Sequence, residues 1–122
     1  MSENLVKKVD ERGQDNLIAR LYPPALTVPV KIAAGAGVLE RGTVLSRKDD
    51  GTCEVMKAGG NAAYILHTAV DASGTEDVPA VAYQSGNFNP DAVIAGEGYE
   101  LTEADKDALR KYGILFTRML ED

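Results

Sequence analysis

The chain has 122 residues, 44% of them hydrophobic, which suits one domain with one modest core. Its formal net charge of −6, with basic residues scattered, argues against nucleic acid as a partner, because phosphate binding needs a concentrated cationic face. Cys53 is the only cysteine, so no intrachain disulfide and no thiolate zinc site can form, and no apolar run approaches the ~20 residues of a membrane-spanning helix.

Residues 1–26 differ in composition from the rest of the chain. The start, "MSENLVKKVDERG", mixes both signs of charge and lacks the apolar segment of a secretory signal, so a soluble protein made in the cytoplasm is expected. A polar stretch of this kind buries too little apolar surface to offset its ordering entropy. Then comes "NLIARLYPPALTVPV", in which Leu17, Ile18, Leu21, Tyr22 and Leu26 are too apolar for a merely solvated tail. Pro23 and Pro24 hold the chain extended, and Pro29 lacks an N–H, so a strand there is expected at an edge. The combination predicts an arm, residues 1–26, that orders against a partner, followed by a body of residues 27–122.

From residue 28 onward, short β segments alternate with glycine. Val28, Val30 and Ile32 alternate with Pro29 and Lys31, which is strand periodicity. Gly42 sits between apolar pairs in "VLERGTVLSR", where positive φ can reverse the chain. Asp50-Gly51 predicts a type I′ hairpin turn between "TVLSR" and "CEVM". Gly59-Gly60-Asn61 predicts the next turn, residues 62–70 the next strand, and "DASGTED" a polar loop. "VPAVAYQS" is the strand after it. "YQSGNFNPDAV" then reads as turn chemistry, with Gly86, Asn87, Asn89 and Pro90 supplying backbone conformations and Phe88 dipping into the core or a subunit boundary.

A helix is predicted near the end, capped by Thr102, with Glu103 and Asp105 in its first turn. Ala104, Ala108, Leu109 and Tyr112 share roughly one face, Arg110 and Lys111 occupy the last turn, and Gly113 is placed to end it. "ILFTRML" reads as a final strand. The fold class is therefore α+β, mainly β.

Catalytic signatures are missing: there is no nucleophile elbow, P-loop, dinucleotide fingerprint or zinc spacing. A Cys53–His67 pair is disfavoured because a catalytic histidine needs an orienting partner. Asp71, Glu76 and Asp77 surround a glycine-containing loop but lack the spacing of a calcium loop. "CEVMKAGG" is similar to the modified-lysine hairpin of biotin carrier domains, so a biotinyl or lipoyl carrier modified at Lys57 is the alternative. Ala58, Gly59-Gly60 and the missing second quasi-repeat depart from that pattern, and ordinary alternation with Met56 buried and Lys57 exposed is preferred. No cofactor, metal, membrane or small-molecule substrate is expected.

In sequence order, "RGTVLSR", an Asp-Gly hairpin, "AAYIL", a loop around Asp71, "YQSGNF" followed by Asn and Ala-Val, and "LRKYGILF" resemble the head decoration proteins of lambda-like tailed bacteriophages. The likeness spans about residues 30–118. It implies a non-enzymatic capsid protein, a homotrimer with a compact small β-barrel or β-tulip-like body. Such trimers sit on the outside of the expanded head at threefold and quasi-threefold sites and clamp the major capsid protein. The resemblance also implies an extended N-terminal segment that orders on the shell. Carried onto this chain, the expected capsid-binding arm is Leu17, Ile18, Leu21, Tyr22, Pro23, Pro24, Leu26, Val28 and Val30. Gly86, Asn87, Phe88, Asn89 and Asp91 are the expected trimer or capsid-facing surface.

Overall fold

A computed structural model describes residues 16–96 and 98–117. Within them run β1 (Ile18–Arg20), β2 (Thr27–Ile32), β3 (Gly37–Leu39), β4 (Val44–Arg47), β5 (Cys53–Val55) and β6 (Ala62–Leu66). They are followed by β7 (Val70–Ala72), β8 (Val78–Tyr83), β9 (Gly86–Phe88), α1 (Glu103–Lys111) and β10 (Ile114–Phe116). Strands β2, β5, β4, β6 and β8 close a barrel, β3 pairs with β7, and β1, β9 and β10 form a three-stranded sheet. The mainly β fold with a small barrel and one short helix is as expected.

The barrel wall carries adjacent apolar pairs: Val44-Leu45 on β4, Ile65-Leu66 on β6 and Ala82-Tyr83 on β8. Successive strand side chains point to opposite faces, so burying both members requires cover on both sides. Leu45, Leu66 and Ala82 meet Ile32 of β2 and Cys53 of β5, one residue from each barrel strand, and these fill the interior. Val44, Ile65 and Tyr83 face the other way and pack with Leu17, Phe88, Leu109 and Ile114. The second layer is therefore the three-stranded sheet and the helix.

Pro29 sits on an open edge. The Gln84 N–H donates to the Leu26 carbonyl (2.8 Å), and the antiparallel register pairs Val28 with Ala82 and Pro29 with Val81. Alternation along that ladder turns the even residues of β2 toward β8 and Pro29 away from it. On the other side β2 meets β5 only at Ile32↔Cys53. The missing N–H thus costs no ladder bond.

Three local expectations shift. The Gly51 N–H donates to Lys48 O (2.9 Å), so the turn centres on Asp49 and Asp50, and Gly51 follows at φ +92 instead of forming the central pair. Asp50 Oδ1 reinforces it by accepting from the Thr52 N–H (3.0 Å) and hydroxyl (2.7 Å). The strand expected over residues 62–70 ends at Leu66 and resumes as β7. The stretch read as a turn after Tyr83 contains a buried strand, β9.

The helix begins and ends as its chemistry predicts. Thr102 and Asp105 form a reciprocal capping box, and Gly113 at φ +100 follows the C-cap Tyr112. Its apolar face is narrower than expected: Leu109 is buried, Ala108 half-buried, and Ala104 and Tyr112 are exposed. Residues 118–120 of the expected final strand lie outside the described residues.

Candidate functional site

Strand β9 is the centre of the three-stranded sheet. It pairs antiparallel with β1 (Ile18↔Phe88, Arg20↔Asn87) and parallel with β10 (Ile114↔Gly86, Phe116↔Phe88). Phe88 points into the core against Tyr83, edge to face at 5.1 Å. Gly86 makes this possible. At φ +145 it holds a backbone that side chains rarely adopt, and a Cβ there would stand 2.9 Å from the Phe88 ring.

The register decides where the chain enters and leaves. The Asn89 N–H donates to Leu17 O (2.8 Å) and the Thr117 N–H to Phe88 O (2.9 Å). Leu17 before β1 and Thr117 after β10 therefore flank the same end of the sheet, the Phe88 end. Residues 21–26 leave β1 at the opposite, Gly86 end.

That second segment has a fastened backbone and bare side chains. The Ser85 hydroxyl donates to Pro24 O (2.9 Å) and lies 3.4 Å from the Leu26 N–H, which it accepts. Asn87 Nδ2 donates to Tyr22 O (3.3 Å). Yet Leu21 is 89% exposed, Tyr22 81% and Leu26 53%. Asn87 itself is buried, and its Oδ1 has no hydrogen-bond partner among the described residues.

The expected arm thus divides. Leu17 is buried in the core and Ile18 packs beside it, so both serve the protomer's own packing. Val30 turns onto the barrel-interior cluster and Val28 is half-buried, because alternation along β2 points both inward. Leu21, Tyr22, Pro24 and Leu26 are exposed and Pro23 is half-buried. Of the expected second surface, Gly86, Asn87, Phe88 and Asn89 are buried inside the protomer, where β9 is flanked on both edges, and only Asp91 is exposed. Ser85 and Asn87 as clamps of residues 21–26 escaped sequence reasoning. Their partners lie about sixty positions away, and no local pattern marks them.

The chemically reactive residues have structural surroundings. Cys53 lies inside the barrel, where burial raises its thiol pKa, against a weaker opposing pull from Arg47. The His67 ring rests 5.0 Å from the Tyr83 ring and its Nδ1 lies 2.6 Å from Thr68 Oγ1. Burial, and then the Arg41 guanidinium, lower its pKa. Arg41 donates to Tyr83 Oη (2.8 Å) and His67 O (3.0 Å). Asp71 accepts from the Ser73 N–H and hydroxyl, and Asp77 from the Ala34 N–H, so both act as loop caps. Met56 is buried and Lys57 exposed at the turn that closes with Gly60 N–H to Lys57 O (3.0 Å).

Among the described residues, Cys53 and His67 are thus engaged in packing, and Asp71 and Asp77 in loop caps. The sequence matches the model of the family "Bacteriophage lambda head decoration protein D" over residues 11–115. The chain belongs to this family. The match starts at residue 11, well before the region the sequence resemblance covered, so it includes part of the N-terminal stretch. No curated protein matches the chain. Membership makes this a structural protein of the phage head, associated with the capsid of the virion.

Proposed function

We propose that the protein cements the outer surface of the expanded phage head, three copies at a time, at threefold and quasi-threefold sites. The observation that carries the reading is the family match across residues 11–115. The geometry adds a direction: Leu17, just before β1, and Thr117, just after β10, both flank the Phe88 end of the sheet. That end faces the shell. The gripping segment is residues 1–16, and the body begins at Leu17.

The grip is β-augmentation, in which an extended segment adds backbone hydrogen bonds to an exposed strand of the major capsid protein. Three arms on one closed assembly act at high effective concentration, so weak single contacts sum to firm attachment. Binding only the expanded shell stabilises that state by mass action. The protein is made in the host cytoplasm and joins the head there during assembly.

Removal of residues 1–15 should leave the body folded by circular dichroism and abolish co-sedimentation with expanded shells. Undiminished co-sedimentation would refute the reading.

A further inference from the structure

We propose that Pro29 and Pro79 guard the two open edges of the β2–β8 ribbon against pairing with any further strand. The ribbon joins the two longest strands described, six residues each. Each of its sides is left partly without a neighbour.

On the first side, β2 meets β5 only at Ile32↔Cys53, so residues 27–30 face no described strand there. The Gln84 N–H donates to Leu26 O, and the same alternation sends the even residues of β2 to β8. The N–H positions of Thr27, Pro29 and Lys31 therefore turn toward the open side, with Pro29 in the middle.

On the second side, β8 follows β6 through Ile65↔Tyr83 and Leu66↔Ala82, and the His67 N–H donates to Val81 O (2.9 Å). The chain then bends away at His67 and Thr68, and β7 pairs with β3 instead. Odd residues of β8 turn to this side, and Pro79 is the next of them after β6 has left. Both prolines are exposed.

Without these rings each strand is an inviting template. "TVPVKI" carries a single charge and "VPAVAY" none, and both are rich in strand-forming residues. Short windows of that kind pair with other strands when they lack proline. A proline ring removes the donor and fills the space that an incoming strand, about 4.8 Å away, has to occupy. Lys31 adds a charge to the same edge of β2. Of the five prolines in the chain, these are the two that lie in described strands. Each falls where its missing N–H takes no bond from the fold.

The test replaces both in the full chain, Pro29→Thr with Pro79→Thr, and follows sedimentation velocity across concentration beside the unchanged protein. The variant should keep the melting transition of the folded protein. It should gain larger species that grow with concentration and carry the infrared band of intermolecular β-sheet. Pro24→Thr, at an exposed proline outside the described strands, is the control and should leave the size distribution as it was. An unchanged distribution in the double variant would overturn the inference, as would an equal gain from the control. Loss of the native melting transition would also overturn it, because the prolines would then serve the fold and not its edges.

Discussion

Two adjacent apolar pairs meet opposite fates in this molecule. Val44 and Leu45 are both completely buried, whereas Leu21 and Tyr22 are among the most exposed apolar residues described. Their sequences do not distinguish them. The difference lies in layers: β4 has the barrel interior on one side and the sheet and helix on the other. Residues 21–26 lie against one sheet among the described residues, fastened by Ser85 and Asn87. An apolar pair with one layer behind it keeps its side chains in solvent.

The comparison breaks first, and hardest, at the second layer. Phe88→Ala should cost about 3–5 kcal/mol in urea unfolding, because it empties the centre of the outer cluster. Leu45→Ala should cost about 2–5 kcal/mol through the interior cluster. Comparable losses from Leu21→Ser and Tyr22→Ser would erase the distinction between the two pairs.

Gly86→Ala comes next, at about 1–3 kcal/mol by the same assay, since both the positive φ and the nearby Phe88 ring oppose a side chain. A neutral result would mean that β9 does not need its present backbone to seat Phe88.

Thr102→Ala should cost about 1 kcal/mol by removing one half of the capping box. Its partner Asp105 sharpens the point through pH. Desolvation pushes the Asp105 pKa up, but hydrogen bonds from the Tyr99 hydroxyl and from Thr102 outweigh it and hold the value below the ordinary 3.8. A depressed carboxylate contributes stability above its unfolded value and loses it as pH falls through the folded value. Melting temperature should therefore drop in the acid range below about 3.8, and Asp105→Asn should flatten that drop.

The smallest stability effects belong to the exposed pair. Leu21→Ser and Tyr22→Ser should each change unfolding free energy by less than about 0.5 kcal/mol. Urea unfolding beside Leu45→Ala checks the contrast.

Much of the fold was legible where the physics is local. The helix was readable because Thr102, Asp105 and Gly113 act within their own turns. The open edge at Pro29 was readable because a residue without an N–H restricts its own position. The glycine turns were found, although the one at Gly51 places its glycine after the central pair. The candidate site was less legible. Leu17 looked like arm and is core, and the stretch from Gly86 looked like turn and holds a central strand, because both identities depend on pairing across some seventy positions.

The sequence by itself determined a β-rich chain, its capped helix and its phage-head family, since these come from local backbone chemistry and residue order. Only the tertiary structure decided which apolar residues are packed and which are presented, because burial depends on what covers each face. A strand between two layers hides the side chains of both its faces. A segment with one layer behind it leaves its outward side chains exposed.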